Sequence, residues 1–235
     1  MRIHSVILGL VSVFMSTWSS SADSQVHQEM LQIDHLVIGV ADLEAGVREF
    51  EELTGVRPAY GGEHPDRGTH NALVSLGNRT YLELLAPRPG AGVTESLRFL
   101  AELAELTPVM WAVSTDDITQ TADRIAGAGY EVTEPVPGSR RQENGSTLHW
   151  TVFDMAAPDL AGAPFFIEWG EASVHPSASS PGGCELESLE IKDPGADQLQ
   201  RLIQLLGLNI DVEQAPGSLL TIVLHCPNGE IRLGR

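Results

Sequence analysis

Five side chains stand out as candidate metal ligands by their type and their place in repeated phrases: His35, His70, Glu83, His149 and Glu168. Imidazole nitrogen and carboxylate oxygen suit zinc, iron, manganese or nickel, and such sites leave positions open for substrate oxygens. Glu83 and Glu168 lie in matching phrases, Tyr81-Leu-Glu-Leu and Phe166-Ile-Glu-Trp. His70 and His149 open two more, His70-Asn-Ala-Leu-Val and His149-Trp-Thr-Val-Phe. A carboxylate beside a metal can also move protons, so Glu83 and Glu168 are the candidate catalytic residues.

Further residues could contact a substrate. Arg140 and Arg141 stand in an otherwise acidic chain and could clamp an anion bidentately, with exposed loop charges as the other reading. His64 and Arg67 fall in a Gly- and Pro-rich loop that could rim a cavity, and Asn71 follows His70 on its strand. Trp150 and Trp169 read either as cavity lining or as core. His175 reads as a solvated linker residue. No nucleophile elbow, phosphate-cradling Gly motif or dinucleotide fingerprint occurs.

The elements that must position these groups repeat along the chain. Residues 33–40 form an apolar strand, Asp42 can cap a helix bearing Leu43, Val47 and Phe50, and Gly55 sits where a C-cap belongs. Strands follow at 56–60, 70–76 and 80–85, with Gly77-Asn78 as a two-residue hairpin signal. The order β-α-β-β-β recurs with a strand at 108–114, a helix capped by Asp116 or Asp117, and strands at 130–133, 147–153 and 164–169. The segment 138–145 reads as a loop. Residues 171–183 form a linker by composition. A third βαβββ unit fills residues 184–235, with Arg232 where the first unit has Glu83.

Strand alternation tests which groups share a face. His35, Val37 and Gly39 lie on one side of the first strand. With a two-residue turn at Gly77-Asn78, Leu76 pairs with Arg79 and Ala72 lies opposite Glu83. His70 then points to the same side as Glu83. A one-residue bulge would reverse this result.

Composition bounds the function. The 235 residues make one large domain or two small ones, and a formal net charge of -18 argues against nucleic acid or an anionic membrane as partner. Cys184 and Cys226 lack CxxC spacing. Two buried free thiols are the plain reading of the pair, with a disulfide as the alternative open to an exported protein. Arg2, the apolar run 6–15 and Ser20-Ser21-Ala22 have the form of a signal peptide, and the run is short for a membrane span. Residues 1–29 are therefore a signal peptide, with export or a periplasmic location, if Met1 is the start. If Met30 is the start they are a misassigned upstream region, and the protein is cytoplasmic. The folded part divides into 30–170, the linker 171–183 and a C-terminal module 184–235.

The phrases Asp34-His-Leu-Val-Ile-Gly-Val-Ala-Asp-Leu, Gly61-Gly-Glu-His-Pro, Arg67-Gly-Thr-His-Asn-Ala-Leu and Tyr81-Leu-Glu-Leu-Leu-Ala-Pro resemble the glyoxalase-like branch of the vicinal oxygen chelate superfamily. Gly138-Ser-Arg, Leu148-His-Trp150 and Pro164-Phe-Phe-Ile-Glu-Trp-Gly170 add to the resemblance. It implies an α+β fold in which paired βαβββ modules form a cupped mixed sheet around a small-molecule cavity. It also implies a divalent metal held by His35, Glu83 and Glu168. Met110, or its neighbour Trp111, falls where a fourth ligand is expected, and His149 or His70 could substitute. The implied activity is metal-assisted lyase, isomerase or dioxygenase chemistry on a small oxygenated substrate. The alternative is a metal-free binding or sequestering protein, and a homodimer is kept open.

Overall fold

The computed structural model describes residues 31–92, 94–142, 145–157 and 159–234. The proposed leader, residues 1–29, lies outside them. Among the described residues no helix is long and apolar enough to cross a membrane.

The first module runs β1 (Gln32–Gly39), α1 (Leu43–Thr54), β2 (Ala59–His64), β3 (Thr69–Ser75) and β4 (Tyr81–Pro87). Asp42 accepts from the Ala45 amide to start α1, and Gly55, at φ 79°, ends it in the left-handed conformation. A short helix not anticipated from the sequence, α2 (Glu95–Ala101), follows β4. The second module is β5 (Thr107–Ser114), α3 (Ile118–Gly127), β6 (Val136–Arg141), β7 (Thr147–Phe153) and β8 (Phe165–Trp169).

The expected loop at 138–145 and the expected strand at 130–133 exchange roles. Residues 136–141 pair with β7, whereas Val132 makes only an isolated bridge to Met155. Pro137 and Gly138 made this stretch look like a loop. They are tolerated because β6 lies at a sheet edge, where a missing backbone donor costs little.

The eight strands form one sheet in the order β2-β3-β4-β1-β5-β8-β7-β6. Each module pairs its first and last strands in parallel, and the two first strands meet antiparallel at the centre. The sheet curls until its edges touch: a Cβ on Gly62 of β2 would lie 2.9 Å from the Arg141 carbonyl of β6. The convex face carries the main core, including Leu36, Ile38, Leu82, Leu84, Trp111, Phe153 and Phe166. The concave face encloses the cavity described below.

The C-terminal module contributes to that core as a second sheet. It contains β9 (Glu185–Asp193), α4 (Ala196–Leu205), β10 (Val212–Gln214), β11 (Leu219–Cys226) and β12 (Gly229–Leu233). Its element order matches the first module, but its strand order is β10-β9-β11-β12. The first strand of this module pairs with its second and third, never with its last. Arg232 therefore has no positional equivalence to Glu83, and it forms a surface ion pair with Glu190.

Cys184 and Cys226 are joined in a disulfide, with Cα atoms 4.2 Å apart. The neighbouring pair His225 and Glu185 sets this register between β9 and β11. Disulfides belong to oxidising compartments. The bridge closes a separation of 42 residues, for which chain entropy gives about 4 kcal/mol of stabilisation. Cys226→Ser should therefore lower the urea midpoint markedly, and dithiothreitol should do the same to the wild type but not to the variant.

Candidate functional site

A β-bulge builds the first part of the site. The β1–β5 register shifts between Ile33 and His35, so Asp34 has no partner on β5. Its side chain turns back to the His35 ring, with Oδ1 2.6 Å from Nδ1. An ionised carboxylate only accepts, so His35 Nδ1 is the donor to Asp34 and Nε2 faces the cavity side. That Nε2 lies 3.8 Å from Glu83 Oε2. The His35 ring stacks on Tyr81 at 4.5 Å between centroids and meets the edge of Phe165 at 5.2 Å.

Asp34 is itself held on three sides. Trp169 Nε1 donates to Oδ2 at 3.0 Å, and His175 Nε2 lies 3.1 Å from the same oxygen. Burial pushes the Asp34 carboxyl up, but the hydrogen bonds and charges of His175 and His35 outweigh it and bring it down to about 2. His175 is thus a buried partner, contrary to the expectation of a solvated linker residue. The linker folds back onto the β1 bulge, and composition carries no signal for that return.

Glu83, on β4, is buried at the cavity wall. Asn71 Nδ2 donates to its Oε1 at 2.5 Å, and Arg140 Nη1 donates to Asn71 Oδ1 at 2.6 Å. Burial alone would push the Glu83 carboxyl up. The charges of His64 and His35, the Asn71 hydrogen bond and the Arg140 charge more than compensate, so it is held below the usual range. His64 lies nearby, with Nδ1 3.0 Å from Thr69 Oγ1. Burial pushes its pKa down against the pull of Glu83, and Arg140, Arg67 and His35 push it down further.

These groups line one wall of a cavity of about 80 Å³, with Arg67 among them. The facing wall is apolar, formed by Met110, Val152, Phe165, Ile167, Trp150 and Trp169. The two indoles meet edge to face at 5.7 Å.

Of the candidates, His35, Glu83, His64, Asn71, Arg140 and Trp150 come together in this cavity, and His70, His149, Glu168 and Arg141 do not. His70 fails by one residue of register. The hairpin turn has three residues, Gly77, Asn78 and Arg79, with φ of 76°, 45° and 59°. Glu83 therefore pairs with Leu73 rather than Ala72. A one-residue slip exchanges faces, so Asn71 takes the place beside Glu83. His70 lies in a groove on the α1 side with Leu43 and Val47.

Glu168 fails for a related reason. Along β8 the cavity is lined by Phe165, Ile167 and Trp169, and along β4 by Tyr81, Glu83 and Leu85. The structural counterpart of Glu83 is therefore Ile167, one residue from the match suggested by the repeated phrases. Glu168 points to the other face and accepts from the Ile118 amide at 2.7 Å, capping the start of α3. His149 is exposed and alternates with the cavity-lining Trp150. Arg141 is exposed, next to the buried Arg140.

The fit to a divalent ion follows from this placement. Catalytic metal sites use about three protein nitrogen or oxygen donors plus open positions. His35 Nε2 and Glu83 Oε2 supply two, and among the described residues no group of three His, Cys, Asp or Glu side chains converges. The second module offers Met110, a soft thioether, and Ile167. Arg140 already places a fixed positive charge beside the Asn71–Glu83 pair. This donor set does not fit the expected metal site.

Gly61 makes the Arg140 bridge sterically feasible. A Cβ there would run into Asn71 Oδ1 and lie 2.7 Å from Arg140 Nη1. Gly61→Ala should therefore destabilise the protein by about 1–3 kcal/mol and displace Arg140 from Asn71. A thermal melt and an anion titration would check both effects.

The glyoxalase-like domain family model matches residues 33–207, and the chain belongs to that family, within the vicinal oxygen chelate superfamily. A hypothetical protein from Staphylococcus aureus is 19% identical, with a TM-score of 0.60 over 87% of this chain and 86% of that one. Methylmalonyl-CoA epimerase from Mycobacterium tuberculosis is 20% identical, with a TM-score of 0.42 over 58% of this chain and 85% of that one. A methylmalonyl-CoA epimerase in complex with methylmalonyl-CoA and NH4+ is 23% identical, with a TM-score of 0.44 over 61% and 98%. No curated protein sequence matches the chain.

Proposed function

We propose that the cavity is the active site of an enzyme that moves a proton at a carbon next to a carbonyl in a small oxygenated substrate. The observation that carries this reading is the buried Glu83 carboxylate, held ionised at the wall of a half-apolar cavity. Glu83 takes the proton from the substrate carbon. The electron pair of the broken C–H bond moves toward the carbonyl oxygen, and the Arg140 guanidinium meets the charge that develops there. Its Nε is buried and has no hydrogen-bond partner within the protein. Return of the proton to another carbon of the delocalised anion completes an isomerisation, and return to the same carbon gives back the substrate with its hydrogen exchanged for one from solvent. Asp34 holds His35 so that Nε2 stays beside Glu83, where it can share the proton.

We route none of these steps through zinc, iron, manganese or nickel, because His70, His149 and Glu168, the donors expected to complete a site, lie outside the cavity. Elemental analysis of protein purified with each metal should find well below one ion per chain. Stoichiometric metal, lost in His35→Ala and Glu83→Gln, would overturn the metal-free reading.

Proton transfer itself is tested by NMR in D2O with a panel of short 2-oxo and 3-oxo carboxylates. The wild type should speed deuterium entry next to the carbonyl of at least one. Ligands that stabilise the folded protein but exchange no faster than in buffer would favour the binding or sequestering reading. The apolar wall is what speaks for that second reading.

A further inference from the structure

The cavity of about 80 Å³ does not end at its own walls. Four of its lining residues, Arg67, Thr69, Leu85 and Met110, also line a neighbouring groove of about 420 Å³. The groove runs along α2, the helix inserted between the two modules, and Leu97 and Phe99 face it from that helix. Leu100 anchors the helix by packing with Val37 and Leu85 under the cavity. Gly39 makes this possible, because a Cβ there would lie 2.6 Å from Leu103 Cδ1 and 2.9 Å from Leu100 Cδ2.

The groove carries an apolar stripe of Leu85, Leu97, Leu100, Val109 and Met110, bordered by Asp66, Thr94 and Ser96, and it exposes large side chains: Phe99 is 54% and Met110 39% accessible. Arg67, an exposed cation, stands at the junction. The cavity is sized for a small head group, while the groove is several times larger and continues the apolar surface past Leu85 and Met110.

Building on the proton-transfer reading of the cavity, we infer that the substrate is amphipathic: an oxygenated anionic head paired with Arg140, with its acidic carbon against Glu83, and an unbranched apolar chain that passes Leu85 and Met110 into the α2 groove. Continuity of groove and cavity through shared residues favours a substrate chain over any separate partner.

The test is calorimetric titration with pyruvate, 2-oxohexanoate, 2-oxooctanoate and 2-oxodecanoate. Full burial of a methylene strengthens binding about fourfold, and this half-open groove should give about twofold per added methylene. Phe99→Glu and the groove-filling Ser96→Trp should each flatten the dependence on chain length, read as the decanoate-to-pyruvate ratio within each variant. Arg140→Met should weaken every member of the series by the same factor and leave the slope intact. A flat series in the wild type, or no binding at any length, overturns the inference. So does a slope that survives both groove variants. Sedimentation covers the remaining occupant: a wild-type dimer that Phe99→Glu dissociates would assign the groove to a second copy of the chain. Failure of the proton-transfer reading is seen separately, as binding with the chain-length slope but no deuterium exchange.

Discussion

Replacing Glu83 with Gln should lower the rate of substrate deuterium exchange by roughly 10²–10⁴-fold, the usual contribution of a positioned general base. The amide keeps the shape of the carboxylate but cannot take a proton. Stability should fall slightly at neutral pH, because a carboxyl held below its ordinary range stabilises the fold in its ionised form, while the amide oxygen can still accept from Asn71. Binding should survive, since Arg140 and the apolar wall remain. The pH profile carries a second signature. A base whose carboxyl lies below its ordinary value of 4.5 stays ionised on the acid side, so the activity of the wild type should persist below that pH. An acid limb well above 4.5 would assign the base to another group. The NMR exchange assay, run from neutral to acid pH on wild type and variant, reads both effects.

Asp34→Ala should be the most destabilising single substitution in the site, at about 3–5 kcal/mol. It removes the acceptor for His35, Trp169 and His175 together and leaves buried donors unpaired. Urea unfolding would measure the loss. The same carboxylate should make the wild type acid-sensitive. Its folded-state pKa is about 2 against an ordinary 3.8, so the folded protein holds fewer protons than the unfolded chain between these values. Its stabilisation is complete above the ordinary value and is lost as pH falls through the lowered one. The loss amounts to about 2 kcal/mol, spread over roughly pH 5 to 2. Asp34→Ala should lack this component of the acid transition. An unchanged acid midpoint in the variant would show that other carboxylates govern it.

The two substitutions separate the roles of the cluster. Glu83 faces the substrate and should change rate more than stability. Asp34 touches no substrate and acts through His35. Asp34→Asn, which keeps an acceptor oxygen, should recover part of the stability while leaving the His35 tautomer free. That partial rescue distinguishes a positioning role from simple packing.

Much of the first module was legible in the chain because its signals are local. Asp42 and Gly55 mark the ends of α1 by their own capping chemistry. The apolar runs of β1, β3 and β4 need only a period of two to be read as strands. His35, with Val37 on the same side, follows from alternation along one strand and does line the cavity. Family phrases then place Glu83 beside it.

Pairing between strands was the weaker inference. Each face assignment depends on an exact register, and one residue reverses it. The three-residue turn at Gly77–Arg79 put Asn71 where His70 was expected. A one-residue offset between the modules put Ile167 opposite the expected Glu168. Edge position, which the chain does not display locally, turned the Pro- and Gly-bearing segment around 137–138 into β6 and aimed Arg140 inward.

By itself, then, the amino-acid sequence determined α1, α3, α4 and most of the strands, their βαβββ order, and the pair His35 and Glu83, because capping, periodicity and family phrases are local properties. Only the tertiary structure decided the company that pair keeps. Asp34 reaches His35 through a bulge set by β5, His175 returns from the linker, and Arg140 crosses from the far sheet edge over Gly61. Those contacts depend on long-range register and barrel closure, where a single-residue shift would exchange a metal-like cluster of His and Glu for the Asn71–Arg140 bridge the protein has.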